Sequence, residues 1–174
     1  MFNFNDLPGG KMLKTINTRR SVRKFKSTPV SDKDIHDFLE AAMNAPSAVN
    51  EQAWQFVVMS GKVLEEFLSI NVNTPKSAPV AILVCQDVPA EKAKGYSVQD
   101  CAAATQNFLL AAHAKGLSAV WTTVFPNNAK AIQALLHIPE SVQPFSCVPV
   151  GYSAEGEKNI ASRFNEKKVH RQSW

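Results

Sequence analysis

What this 174-residue sequence lacks narrows its chemistry first. No apolar run approaches the roughly 18 residues needed to cross a bilayer, so no membrane span is expected. The opening MFNFNDLPGGKMLK has no long apolar stretch, which argues against a secretory leader and makes the cytoplasm the default location. There is no G-x-G-x-x-G, no Walker-type phosphate loop and no G-x-S-x-G elbow. Cysteine is scarce: Cys85, Cys101 and Cys147 are odd in number, widely spaced and set in apolar segments, so buried reduced thiols are expected. His36, His113, His137 and His170 are scattered without ligand spacing, and no dedicated metal site is expected. No catalytic acid–base pair stands out. Asp32, Asp34 and Asp37 fall on the start and exposed face of one helix. Asp100 falls at the start of another, where the helix dipole accounts for it.

What is present suits one folded domain: 45% hydrophobic, 20% charged and 9% aromatic residues, with a net charge of +4. The positive charge is unevenly placed. Lys14, Arg19, Arg20, Arg23, Lys24 and Lys26 crowd one end, and Lys158, Arg163, Lys167, Lys168 and Arg171 crowd the other. Either an anion is held where the termini meet, or two solvated segments carry the charge.

Along the chain, residues 1–12 form a loose arm and residues 13–174 the domain. A short helix is expected over 14–20. Ser31 can cap a helix, with Asp34 three residues on; Ile35, Phe38, Leu39, Ala42 and Met43 then recur on one face until Pro46. WQFVVM alternates as a strand, and a short helix follows Gly61. PVAILVC is apolar on both faces, as a central strand is. Residues 98–115 make the best helix, Ala-rich and stopped by Gly116. LSAVWTT forms a third strand, residues 129–136 a helix, and FSCVPV a fourth strand ending at Gly151.

Two segments carry ligand chemistry. RRSVRKF sets Arg19, Arg20, Ser21 and Arg23 within five residues, and planar guanidiniums suit a phosphate; a basic surface turn would look the same. APSAVNEQAWQF, residues 45–56, lies between a helix end and a strand. Its Ser47, Asn50 and Gln52 suit the polar edge of a heterocycle or a polyol, and a plain polar connection is equally open. Anion donors and amide groups without a catalytic dyad are what a protein offers when a bound cofactor carries the reaction.

Taken in order, five segments resemble the nitroreductase family of flavoproteins. RRSVRKF is similar to its Arg-Arg-Ser-x-Arg stretch, and APSAVNEQAWQF to its A-P-S-x-x-N-x-Q-P-W-x-F stretch. QDCAAATQNFLLAAHAKGLSAVW resembles its central helix and next strand, FSCVPVGYSAE its V-P-x-G-Y-P-x-E turn, and RFNEKKVH its closing tail. The resemblance implies an α+β fold: a single domain whose central mixed, mainly antiparallel sheet of four to five strands is flanked by helices, in an intertwined homodimer.

It also implies FMN between the protomers, NAD(P)H as co-substrate, and ping-pong reduction of nitroaromatics, quinones or similar small acceptors, with neither nucleic acid nor membrane as a partner. Onto this sequence it carries Arg19, Arg20, Ser21, Arg23 and Arg163 at the phosphate end. Pro46, Ser47, Ala48 and Asn50 would come from the other subunit, Thr122 and Thr123 would face the redox edge, and Gly151 would sit on a turn near the ring or phosphate. Asn71 or Asn73 falls near the ribityl position. No side chain is assigned as catalytic. Ala53 and Ser153 stand where the family commonly has Pro, and Ser118 where it has Gly. The same scaffold would serve dehalogenation or flavin storage, and a basic nucleic-acid-binding module is the reading from another class.

Overall fold

The computed structural model describes residues 10–156 and 160–174, so residues 1–9 of the arm expected over 1–12 and Lys158 lie outside the described residues, while residues 10–12 belong to the first helix instead of a loose arm. Among the described residues, five α-helices and five strands follow one another along the chain. They are α1 (Gly10–Thr18), α2 (Asp32–Met43), β1 (Trp54–Ser60), α3 (Gly61–Ile70), β2 (Val80–Asp87), α4 (Ser97–Ala114), β3 (Ser118–Ala119), β4 (Thr122–Thr123), α5 (Ala129–Leu136) and β5 (Val142–Gly151). α1 begins four residues earlier than the sequence suggests and ends before the arginine pair. Ser31 caps α2 as expected: its hydroxyl accepts from the Asp34 N–H at 3.1 Å, worth about 1 kcal/mol.

The strand order is β1-β2-β5-β3, with β4 also on β5, and every ladder is antiparallel. β2 is buried along its first six residues because helices cover both of its faces. Its residues alternate in their destinations, as a period of two requires. Val80, Ile82 and Val84 join Phe38, Ala42, Ala104 and Phe108 of α2 and α4. Ala81, Leu83 and Cys85 join Leu64, Phe67 and Ile132 of α3 and α5. The alanines of α4 let its backbone sit close to the sheet and to α2, where Phe38 and Phe108 meet edge to face at 5.3 Å. All three cysteines are free and buried, and burial pushes the thiols of Cys85 and Cys101 up to about 12.

Two prolines in β5 shape the sheet. Beside Pro144 the pairing with β2 slips between Val84 and Cys85, leaving Phe145 as an extra residue in a bulge. Pro149 acts on the other side. The third strand, expected to be continuous, is divided into β3 and β4, although both keep one register against β5. Val120 N–H donates to Pro149 O at 3.3 Å, but proline has no N–H to return the bond, so the ladder lapses there.

Candidate functional site

After α1 the chain runs along the β3 side of the sheet. Val22 N–H donates to Ala119 O at 3.3 Å, Lys26 N–H to Tyr152 O at 2.8 Å, and Ala154 N–H to Lys24 O at 2.9 Å. The Glu155 carboxylate accepts the backbone N–H groups of Arg23 and Lys24. These bonds tie RRSVRKF to the GYSAE turn, so the two basic ends of the sequence meet.

Where they meet, Arg19, Arg20 and Arg163 line one cavity of about 540 Å³, with Ile16 and Phe164 on its apolar side. No acidic side chain lines it, and no ion pair engages these arginines among the described residues. Partial burial, then Arg163, then Arg20 lower the pKa of the half-buried Arg19. Arg20 is partly committed elsewhere: its Nη1 donates to Asn17 O at 2.7 Å and Arg19 O at 2.8 Å, closing the end of α1. The Arg23 side chain is exposed, and Ser21 is half-buried between them.

His113, which the sequence does not single out, stands beside this cluster. Its Nε2 is 2.7 Å from Thr18 Oγ1, and that hydroxyl already donates to Lys14 O at 2.8 Å. The histidine is therefore the donor, with its proton on Nε2. Burial, then Arg19 and Arg20, lower its pKa. A second cavity, of about 560 Å³, shares Arg20 and Ile160 with the first and adds His113, Ser118 and Glu155.

Thr122 and Thr123 lie further along the same edge, about 10 and 13 Å beyond Ala119 at a strand's rise. The Thr122 hydroxyl is spent inside, donating to Cys147 O at 2.9 Å and touching Thr74 Oγ1 at 3.1 Å. The Thr123 side chain is exposed, while its carbonyl accepts from Asn73 at 2.9 Å and Asn71 at 3.2 Å. Asn71 is fully buried and holds this edge in place rather than facing a ligand. Gly151 ends β5 opposite Ser118 instead of lying in a turn. A Cβ there would come within 2.9 Å of Pro79 Cδ and 3.4 Å of the Phe25 ring, so packing accounts for the glycine.

Pro46, Ser47, Ala48 and Asn50 lie elsewhere, in a segment folded tightly on itself. Val49, Asn50 and Gln52 have φ of 45°, 54° and 53°. A β-branched residue in that region stores about 1–3 kcal/mol unless its surroundings enforce it. Enforcement comes from three sides. Ser47 Oγ accepts Gln52 N–H at 3.0 Å, Asp100 Oδ1 accepts Ala48 N–H at 3.0 Å, and Glu51 Oε2 accepts Lys92 and Ala93 N–H, each at 2.7 Å. Sequence reasoning missed the role of Glu51, and it explained Asp100 by the helix dipole alone.

The two sets are separated by α4. Asp100 anchors the 47–53 segment near its start, and His113 touches α1 thirteen residues further along. At 1.5 Å per residue this is about 20 Å. Within one chain, the arginine cluster and Ser47–Asn50 therefore do not line one pocket.

With this geometry in view, the comparisons with known proteins are specific. A Nitroreductase family profile matches residues 16–72 and 66–152. A protein of Methanothermobacter thermautotrophicus, named "Putative NADH dehydrogenase/NAD(P)H nitroreductase", is 44% identical over 170 residues, covering 94% of this chain and 87% of its own. An iodotyrosine deiodinase of Haliscomenobacter hydrossis is 33% identical, covering 79% of this chain and 77% of its own. The solved structure of an FMN-dependent nitroreductase from Clostridium difficile superposes with a TM-score of 0.84 at 27% identity, covering 94% of this chain and 100% of that one. The chain belongs to the Nitroreductase family.

Proposed function

We propose that this protein is an FMN-dependent oxidoreductase, taking reducing equivalents from NAD(P)H and passing them to nitroaromatic, quinone or similar small acceptors. The observation that carries this is the cavity where Arg19, Arg20 and Arg163 converge with no carboxylate lining it among the described residues. Like charges held together in a partly buried site suit a dianionic phosphate monoester, which paired guanidinium donors recognise well. The donor set therefore fits FMN. Bound there, the flavin would supply hydride chemistry that no side chain of this protein offers. Arg19 and Arg163 would hold the phosphate, Arg20 would complete the cluster while bracing α1, and the edge from Ala119 to Thr123 would flank the rest. Donor and acceptor would use one site in turn, the ping-pong sequence.

The 47–53 segment enters from a second copy in this reading. About 20 Å of helix separates it from the arginines of its own chain. Apolar surface points the same way: Met12, Leu13 and Ile16 of α1 are exposed, and so is the whole of residues 160–174, with Phe164 and Trp174. A homodimer would cover these and bring Ser47, Ala48 and Asn50 to the partner's flavin. Three reduced thiols suit the cytoplasm.

The test is reconstitution. The purified protein should be yellow, or should quench FMN fluorescence on addition, and anaerobic NADH or NADPH should bleach it. A colourless protein that ignores FMN overturns the proposal; bleaching by neither donor leaves a flavin-storage role. Sedimentation should show a dimer. The deiodinase relative supports one second reading, dehalogenation of a halophenol, which halide release from the reduced enzyme would reveal.

A further inference from the structure

Among the described residues, Glu51 and Asp100 are the charged side chains that the domain buries, at 8% and 4% exposure. They come from distant parts of the chain and lie within hydrogen-bonding reach of one another. Each carboxyl group has one well-served oxygen. Asp100 Oδ1 accepts from Ala48 N–H, and Glu51 Oε2 accepts from Lys92 and Ala93 N–H. Each also has one buried oxygen with no donor, Asp100 Oδ2 and Glu51 Oε1.

Neither carboxyl group forms an ion pair among the described residues. The charged groups around them do not offer one. Glu91, from the turn before α4, adds negative charge and is itself served by Ser97 and Gly95, with Lys94 beside it. Lys92 contributes its backbone N–H, and the Cys101 thiol is kept neutral by burial. Desolvation raises the Asp100 carboxyl above its ordinary range, outweighing the Ala48 N–H that favours its charge, and Glu51 adds to the effect.

Two neighbouring buried carboxyl groups, each with an oxygen that no donor serves, repel when both are ionised. One proton removes both problems, because it makes one orphan oxygen a donor that the other can accept. We propose that Glu51 and Asp100 hold one proton between them, Asp100 Oδ2–H donating to Glu51 Oε1, and that Asp100 is thereby the positioning residue of the 47–53 segment. The pair joins that segment to the start of α4 and, through Lys92 and Ala93, to the turn before it. It thus enforces the left-handed backbone at Val49, Asn50 and Gln52.

The proton concerns only this chain's own residues. Its consequence for flavin retention rests on the function proposed above. The sign follows from the raised carboxyl. The stabilisation is complete below the ordinary carboxyl range and is lost as pH rises through the folded-state value.

Asp100→Asn separates the possibilities, since its amide can donate to Glu51 permanently while its oxygen still accepts from Ala48. Melting temperatures from pH 5 to 9 should fall in the native protein by about 3 °C or more relative to Asp100→Asn. Amide exchange across residues 48–52, corrected for intrinsic rates, should quicken in the native protein and stay slow in the variant. Glu51→Gln provides a second neutral donor should Asp100→Asn fold poorly. Parallel melting curves for the native protein and both variants would overturn the shared proton. So would stabilisation of the native protein by calcium and its loss in chelator, which would mean a cation between the carboxylates. FMN retention measured at pH 6 and pH 9 keeps the two proposals apart. A native protein that never binds FMN defeats the function while the melting curves still decide the proton. Parallel curves in a flavin-binding protein defeat only the proton.

Discussion

Two places in this molecule bring like charges together, and they differ in almost every other respect. Near the C-terminal end of α4, Arg19, Arg20 and Arg163 share a cavity open to solvent. Near its other end, Glu51 and Asp100 lie buried beside one another. A guanidinium cannot shed its charge near neutral pH, so the first set retains its repulsion until an anion enters. A carboxyl can, so the second set is relieved by a proton already within the fold. The difference teaches what each is for. Unrelieved and reachable charge suits an incoming anion, whereas charge relieved inside the fold suits a fastening.

The contrast can be broken most forcibly at the open end. Arg163→Glu supplies the missing anion as a side chain. FMN affinity should then fall by about 100-fold, since a charge-assisted phosphate contact worth about 1.5–3 kcal/mol is lost and a repulsion added. The apoprotein should melt no lower than the native apoprotein, because its arginines now have a partner. Equilibrium titration beside a thermal melt reads both quantities. Unchanged FMN affinity would mean that the cluster is only a solvated patch.

A second substitution asks whether the glycine near this end serves the ligand or the fold. Gly151→Ala drives a Cβ to within 2.9 Å of Pro79 Cδ. Overpacking of this kind costs about 1–3 kcal/mol, so the melting temperature should drop by several degrees. Flavin affinity should stay within about twofold of the native value, a change of under 0.5 kcal/mol. Lost affinity with unchanged stability would return Gly151 to the ligand.

These examples also show how much was legible beforehand. α2 could be read because its signal is local: Ser31 and Asp34 cap it, and its apolar residues recur at helical spacing. α4 could be read from its alanines. The division of the edge strand could not, because its cause is Pro149, which stands opposite Val120 and is distant in sequence. Val49 in a left-handed conformation runs against its own preference, and bonds to the side chains of Glu51, Asp100 and Ser47 help hold it there. Asp100 had a sufficient local explanation, which hid its partner. At the open end, by contrast, the two basic clusters were visible as composition. The resemblance to a known family gave them a purpose, and the fold then brought Arg19 and Arg163 to one cavity.

The smallest expected effect is also the one that best sharpens the comparison, because it reads the field of the arginines without touching them. His113 is held neutral by burial and by Arg19 and Arg20, while its Nε2–H serves Thr18. Its pKa is lower in the folded state than in the unfolded one. It therefore contributes stability above the ordinary histidine range, and that contribution is lost as pH falls through the folded-state value. His113→Gln keeps a donor for Thr18 but cannot take up a proton. Between pH 7.5 and pH 5 the native apoprotein should lose about 1–2 °C more of melting temperature than the variant does. Millimolar inorganic phosphate should narrow that gap, since an anion among the arginines cancels much of the field at His113. A gap that phosphate leaves untouched would mean that no anion sits there, and the open cluster would lose the property that sets it apart from the buried pair.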